Sequence, residues 1–156
     1  MTAAVSFLFS DGIEPIIVRG VGAKRNTKAV GDTSEAAVLT ALVRNGYSVS
    51  IPFGENQRYD LIADDGARLH RVQVKTGRLR GAVIIFACSS THAHRNGTTR
   101  SYRGEVEFLA VYCPQNGKVY LLPEQEMTVS TAHLRLSRPL NNMAKSIRWA
   151  SEFELP

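Results

Sequence analysis

The residue types best suited to chemistry in this chain are a carboxylate, an amide and an amine at Asp60, Gln73 and Lys75. Carboxylate and amide oxygens are the hard ligands that Mg²⁺ prefers, at about 2.0–2.1 Å. A lysine beside such an ion can polarise or deprotonate what the ion binds. Brought onto one surface, these side chains would form a candidate phosphodiester-cleaving site. They could also be an ordinary solvated sheet face, and spacing alone does not separate the two.

A β-hairpin is the element that would bring these side chains together. Two runs rich in apolar and β-branched residues flank Asp65-Gly66 within the segment 59–75, a pattern typical of a hairpin. A turn centred on this pair places Asp60 opposite Arg71. Side chains alternate between the two faces of a strand, so the three candidate residues share one face. Asp60 and Gln73 are then diagonal neighbours, about 7–8 Å apart along the backbone.

A helix ahead of the hairpin supplies a fourth candidate. We expect it to begin at Asp32 or Thr33 as N-cap and to end at Gly46, because these residue types favour helix ends. Glu35 shares the face of the apolar residue Val38, so the helix could deliver a carboxylate to the edge of the hairpin. Glu35 could equally complete a capping box with Asp32.

The charge of the chain favours an anionic partner. Its net charge is +5 over 156 residues, which is suited to nucleic acid. Several basic residues and one aromatic residue are concentrated in three places: before the helix, after the hairpin, and in the segment 91–104. The last segment has no apolar pattern. We predict contacts to DNA phosphates and base edges from these segments. The predicted residues are Lys24, Arg25, Lys28, Arg78, Arg80, His94, Arg95, Arg100, Tyr102 and Arg103. A solvated linker and a disordered loop remain the alternatives.

The sequence does not predict a zinc site, a membrane-spanning segment or a signal peptide. His92 and His94 have no third ligand near them in sequence, so the pair does not predict a zinc site. Cys88 and Cys113 are expected to be buried thiols, as in a reducing compartment. No apolar run approaches the length of about 18 residues that spans a membrane, and the first residues make a poor signal peptide. We therefore expect a cytoplasmic protein with no membrane partner.

The length of the chain suits a single domain with its own core, with residues 1–23 as an N-terminal extension. We expect further strands over 47–53, 82–89, 106–113, 118–122 and 132–136, and a helical turn over 123–127. The segment 142–153 has helical periodicity and predicts a terminal amphipathic helix.

The order of these motifs resembles that of a known superfamily. A helical Glu35, a strand Asp60 and then Gln73-Val74-Lys75 across a hairpin are similar to the PD-(D/E)XK nucleases. The likeness is greatest to the intron-encoded homing endonucleases of that superfamily, and next to the archaeal Holliday junction resolvases. Tyr59 stands where the name-giving proline would be, and Gln73 replaces the acidic residue, as in the intron-encoded group. The stretches that carry the likeness, from about residue 24 to 125, are AKRNTKAVGDTSEAAVLTALVRNGYSVSIPFG, YDLIA, VQVKTG and SYRGEVEFLAVYCP.

This resemblance implies a fold, a site and an activity. The fold would be α/β and restriction-endonuclease-like, a mixed β-sheet flanked by helices. Asp60, Gln73 and the Val74 carbonyl would ligate Mg²⁺, with Mn²⁺ as the alternative ion. Lys75 would position or activate the attacking water, and Glu35 would complete the outer sphere of the metal.

The implied activity is metal-dependent endonucleolytic cleavage of duplex DNA. A homo-oligomer, dimer or tetramer, is implied because one site per chain must cut two strands. Two alternatives remain. One is a junction resolvase or other structure-selective nuclease, and the other is a catalytically inactive DNA-binding module that kept the fold after losing the acidic ligand.

Overall fold

The computed structural model describes residues 26–54, 56–91, 99–139 and 146–156. The N-terminal extension 1–23, four predicted DNA contacts (Lys24, Arg25, His94 and Arg95) and His92 lie outside these residues. The elements are α1 Thr27–Arg44, β1 Ser48–Ser50, β2 Leu61–Asp64, β3 Leu69–Thr76, β4 Arg78–Arg80, β5 Val83–Ala87, β6 Ser89–Thr91, β7 Thr99–Ser101, β8 Phe108–Cys113, β9 Lys118–Pro123, β10 Thr131–Arg135 and β11 Glu154–Leu155. Single 3₁₀ turns occupy Glu124–Glu126 and Ala150–Glu152.

A mixed six-stranded sheet forms the centre of the described structure, in the order β1-β2-β3-β8-β9-β11. β3 runs parallel to β8 and antiparallel to β2, and the other neighbours in this sheet are antiparallel. Two smaller sheets accompany it, β10-β5-β4 and β6-β7. The predicted α/β class with a mixed sheet is confirmed.

Two apolar cores lie on the two faces of this sheet. On one face, α1 packs through Val38 and Leu42 onto Val72 and Val74 of β3. The hydroxyl of Ser34, almost fully buried, lies 2.6 Å from the Thr76 hydroxyl and links the helix to the end of β3. The other core joins side chains of β5, β8, β9 and β10. Because side chains alternate along β3, Gln73 and Lys75 are directed away from α1.

The helix begins at least six residues earlier than the sequence predicts. Asn26 is the N-cap, and its side-chain oxygen accepts bonds from the backbone N–H groups of Lys28 and Ala29. Asn is among the strongest N-cap residues, but Asn26 stands within a basic segment whose composition favours a linker. The predicted N-cap Asp32 is therefore inside the helix, which removes the capping-box explanation of Glu35. The predicted end is confirmed, since Gly46 follows the helix with φ +84°.

The hairpin forms as predicted, but its register differs by two residues. Leu61 pairs with Val72, and the Asp60 N–H donates to the Val72 carbonyl at 2.9 Å. Asp60 directly precedes β2, and this register, continued by one residue, places it opposite Gln73, whose side-chain amide it contacts, and not opposite Arg71. A slip of one residue would have turned every side chain to the other face, but a slip of two preserves the faces. The predicted common face is therefore retained, and Asp60 and Gln73 are direct neighbours.

The cause of the register difference is the turn, which is centred one residue later than predicted. Gly66 takes the first central position with φ +85°, a conformation that glycine adopts without steric cost. The Asp65 carboxylate accepts bonds from the N–H groups of Ala67 and Arg68 at 2.8 and 2.7 Å. Asp65 is therefore the first residue of the turn, where its side chain caps the following N–H groups, and it is not one of the two central residues.

Three further sequence predictions need correction. Residues 78–80, for which no strand was predicted, form β4. Thr91 and Thr99–Ser101, predicted to lie in a segment without strands, belong to the paired strands β6 and β7. The described residues of the predicted terminal helix, 146–153, contain only a 3₁₀ turn, after which β11 pairs with the edge of β9. Within this segment, the Arg148 carbonyl accepts a bond from the Arg135 N–H at 2.8 Å and Trp149 bridges to Arg135. These contacts with the end of β10 satisfy backbone groups in an extended conformation and override a weak helical periodicity.

The cysteines and the helix length complete the description. Cys88 and Cys113 are free and fully buried, as predicted. Among the described residues, the structure contains no helix of sufficient length and apolarity to cross a membrane.

Candidate active site

The β2–β3 hairpin brings three of the predicted ligand groups to one point. The Asp60 carboxylate accepts a bond from the Val74 N–H at 2.7 Å and a short bond from the Gln73 side-chain amide. The same amide nitrogen lies 3.2 Å from the Val74 carbonyl. Gln73 is 8% exposed, so its amide is fixed between two oxygen atoms in a nearly closed position.

These groups suit a hard divalent cation. A half-turn of the Gln73 amide exchanges its nitrogen and oxygen, which are alternative assignments of one planar group. The carboxylate of Asp60, the amide oxygen of Gln73 and the carbonyl of Val74 then face the same point. Three oxygen donors with space for water or phosphate oxygens are what Mg²⁺ takes. Among the described residues, no group of three or more His, Cys, Asp or Glu side chains is placed to hold a metal ion. Two of the three donors here, the Gln73 amide and the Val74 carbonyl, are of none of these types.

The electrostatics of the site disfavour free negative charge. Burial raises the pKa of Asp60, while the Val74 N–H, the charge of Lys75 and the Gln73 bond act in the opposite direction. The pKa of Glu35 is also raised, first by burial and then by the charges of Asp60 and Asp32. A cation bound beside these carboxylates would favour their ionised forms.

Glu35 and Asp60 open into one cleft of about 280 Å³, which α1 and the connection between β1 and β2 enclose. Lys28, predicted to contact phosphate, lies on its rim and pairs with Asp32 at 3.5 Å. The helix therefore does deliver Glu35 to the edge of the hairpin. A larger cleft of about 500 Å³ between α1, β9 and β11 contains none of the predicted site residues.

Lys75 is held beside the ligand groups. It lies one pleat beyond Gln73 on the same face of β3, and its ammonium donates to the Tyr102 hydroxyl at 2.9 Å. Its nitrogen lies 4.5 Å from the centroid of the Tyr102 ring. Tyr102 was predicted to contact DNA, but it is only 4% exposed. A ring so buried cannot stack on a base without leaving its place, and its contact is with Lys75.

Arg58 is a residue at this site that the sequence reasoning missed. Its guanidinium forms a short ion pair with Glu105 and donates to the Ser90 hydroxyl at 2.6 Å. It also lies 4.4 Å from the centroid of the Tyr102 ring. Glu105 is 47 positions away along the chain, so no local pattern could have shown the pair.

The remaining predicted DNA contacts fall on two separate surfaces. Arg100 and Arg103 are exposed at the base of the β6–β7 hairpin, where Arg100 pairs with Glu105. Arg78 and Arg80 are exposed on β4, which belongs to the smaller three-stranded sheet. Their contacts with DNA remain predictions. The hairpin arginines are the ones connected to Lys75, because Tyr102 directly follows β7.

Comparison with known proteins identifies the family. Residues 25–156 match the model of a family described as PD-(D/E)XK endonuclease. A solved structure of a bacterial homing endonuclease, I-Ssp6803I, is similar in fold, with a TM-score of 0.65 over 82% of this chain and 88% of that chain, at 22% sequence identity. No curated protein matches the sequence. Since the family match spans most of the chain, the protein belongs to the PD-(D/E)XK endonuclease family and is a nuclease by that membership.

Proposed function

We propose that this protein is a Mg²⁺-dependent endonuclease that hydrolyses phosphodiester bonds in duplex DNA at a preferred sequence. The observation that carries the proposal is the meeting of Asp60, Gln73 and the Val74 carbonyl, with Lys75 on the same face. The net charge of +5 is consistent with a polyanionic substrate.

Each residue of the site has a distinct role in this proposal. Asp60, the Gln73 amide oxygen and the Val74 carbonyl would hold Mg²⁺, with Mn²⁺ as a substitute. When bound, such an ion polarises a phosphoryl oxygen and lowers the pKa of water. The Lys75 ammonium orients the attacking water or the scissile phosphate by donating a hydrogen bond. Glu35, which lines the same cleft as Asp60, would complete the outer sphere of the ion by accepting a hydrogen bond from a water bound to it.

The inactive-binder alternative is less well supported by this geometry. A protein that only binds DNA gains nothing from a carboxylate that faces phosphate, because like charges repel. Asp60 is such a carboxylate, and burial already raises its pKa. Gln73 removes one negative charge relative to the acidic residue of the superfamily motif but supplies the same kind of oxygen. These residues therefore suit a site that binds a cation better than a site that only binds DNA.

The residues around the β6–β7 hairpin support cleavage at a preferred DNA sequence. Arg100 and Arg103 are exposed among Thr and Ser residues, a mixture able to read base edges as well as phosphates. Arginine bidentate to guanine is worth about 1–3 kcal/mol of discrimination. A junction resolvase needs mainly charge complementarity to branched backbones. The solved structure with a similar fold is that of a homing endonuclease, which favours the same choice.

The need to cut both strands of a duplex supports a homo-oligomer. Each chain carries one such site among its described residues, so a double-strand cut needs two chains or two encounters. We propose a dimer or a tetramer, which sedimentation of the purified protein with and without DNA would measure. The two free, buried cysteines are consistent with action in the cytoplasm.

The test is digestion of a random-sequence duplex library in Mg²⁺, followed by sequencing of the ends. We expect cut ends to share one sequence motif, and a synthetic four-way junction added in excess not to inhibit the reaction. Symmetric cleavage of the junction alone, whatever its sequence, would replace this proposal with the resolvase alternative. Binding of duplex without any cleavage in Mg²⁺ or Mn²⁺ would favour the inactive module.

A further inference from the structure

A chain of contacts links Lys75 to the β6–β7 hairpin through Tyr102. The Tyr102 hydroxyl accepts the hydrogen bond of the Lys75 ammonium at 2.9 Å. The backbone of Tyr102 is fixed on both sides, since its N–H donates to the Cys88 carbonyl at 3.1 Å and its carbonyl accepts from the Glu105 N–H at 3.0 Å. With 4% of its surface exposed, the ring has little freedom to move. The hydroxyl is therefore a fixed acceptor for a flexible side chain.

Arg58 holds the ring of Tyr102 and ties it to the hairpin. Its guanidinium lies 4.4 Å from the ring centroid, within the range of a cation–π contact. The same group donates to the Ser90 hydroxyl at 2.6 Å and to the Ser101 carbonyl at 3.1 Å, in β6 and β7. Its ion pair with Glu105 closes the network. Arg58 also lies two residues before Asp60 in the chain. It therefore connects the segment that carries the proposed metal ligand Asp60 to the β6–β7 hairpin, which carries predicted DNA contacts.

We propose that Tyr102 is a positioning residue for Lys75 in cleavage, with Arg58 as its support. A free lysine has several rotatable bonds and loses considerable entropy when it is confined. The Tyr102 hydroxyl limits the ammonium to one region before substrate arrives, which increases the fraction of enzyme ready to react. The arrangement also makes the position of Lys75 dependent on the hairpin that carries Arg100 and Arg103. This inference rests on the proposed nuclease function.

The first test is Tyr102→Phe, which removes the hydroxyl and keeps the ring. Loss of a hydrogen bond to a charged group should lower the single-turnover cleavage rate at saturating enzyme by about tenfold or more. The dissociation constant for duplex DNA, measured without Mg²⁺, should change by less than about twofold, because phosphate contacts elsewhere determine it. A merely structural tyrosine would not separate rate from binding in this way.

Tyr120→Phe is the matched control. Tyr120 is also fully buried, and its hydroxyl accepts a bond from the Asn116 amide at 2.8 Å, away from the site. Its loss should affect thermal stability about as much as Tyr102→Phe and leave cleavage unchanged. Equal rates for Tyr102→Phe and the wild type would overturn the inference, and so would an equal loss of rate in both variants.

Arg58→Met tests the support without altering Tyr102. It should lower the cleavage rate with little change in DNA binding, and the double variant with Tyr102→Phe should be no slower than the slower single variant. Independent sites would multiply their effects, and that result would remove Arg58 from the inference. A wild-type protein that does not cleave DNA would refute the proposed function itself. If the wild type cleaves and Tyr102→Phe cleaves at the same rate, only the role of Tyr102 is refuted.

Discussion

Replacing Gln73 by Glu should destabilise the metal-free protein and make its stability depend more strongly on a divalent cation than that of the wild type. In the structure the Gln73 amide donates to the Asp60 carboxylate, and Gln73 is 8% exposed. Glu at this position removes the donor and places a second carboxylate against the first. Position 73 is buried and Asp60 is partly buried, so solvent and salt screen the two charges less than they would at the surface.

The size of the effect follows from two contributions. The lost hydrogen bond to a charged group is worth about 1.5–3 kcal/mol. Two unit charges about 4 Å apart repel by about 4 kcal/mol at an effective dielectric constant of about 20, and uptake of a proton by one carboxyl relieves part of this. We expect a net loss of about 3 kcal/mol near pH 8 in EDTA. For a chain of this length each kcal/mol lowers the unfolding midpoint by about 2–4 °C.

Thermal unfolding with and without Mg²⁺ is the assay. Mg²⁺ at about 100 times its dissociation constant would restore about 2.7 kcal/mol, and the Gln73→Glu variant should cleave DNA. Gln73→Leu is the control, because it removes the oxygen without adding a charge. Its midpoint should not respond to Mg²⁺, and it should not cleave. A Gln73→Glu protein as stable as the wild type in EDTA would refute the geometry, as would full activity of Gln73→Leu.

Three further predictions concern packing and pH. A Cβ at Gly77 would lie 2.7 Å from Ile84 and 2.9 Å from Val111, so Gly77→Ala should destabilise the protein by about 1–3 kcal/mol, measured by denaturant unfolding. The raised pKa values of Asp60 and Glu35 mean that both carboxyls take up protons at a higher pH than free ones do. Because Mg²⁺ must displace these protons to bind, the apparent affinity for Mg²⁺ should begin to fall, as the pH decreases, at a higher pH than it would for free carboxyls. The native state binds these protons more tightly than the unfolded chain, so each group destabilises the metal-free protein above its native pKa and ceases to do so below its unfolded value. Metal-free Asp60→Asn should accordingly gain stability over the wild type near pH 8 and lose that advantage near pH 4.

The sequence was sufficient for the parts of the site that depend on local pattern. Alternation along β3 put Gln73 and Lys75 on one face, and the hairpin signal placed Asp60 on the same face. The turn position was one residue off, and the pairing was two residues off. The faces survived because the side-chain period of a strand is two.

The parts that failed depend on contacts between distant residues. Tyr102 was predicted to be a DNA contact because it stands among arginines and hydroxyl residues, but its burial is decided by packing in the core of β5, β8 and β9. Arg58 gave no signal because its partners Ser90 and Glu105 are far along the chain. The terminal strand β11 depends on the free edge of β9. None of these contacts has a local periodicity that could predict it.

Nicking of supercoiled plasmid tests the central claim most directly, with the wild type, Asp60→Asn and Lys75→Ala compared in Mg²⁺ and in EDTA. We expect the wild type to cut only in Mg²⁺, and each variant to be slower by about 100-fold or more. DNA affinity should be retained in Asp60→Asn and nearly so in Lys75→Ala, because it comes mainly from phosphate contacts elsewhere. Cleavage by the wild type in EDTA, or by either variant at close to the wild-type rate, would contradict the assignment of Asp60, Gln73, Val74 and Lys75 as the active site.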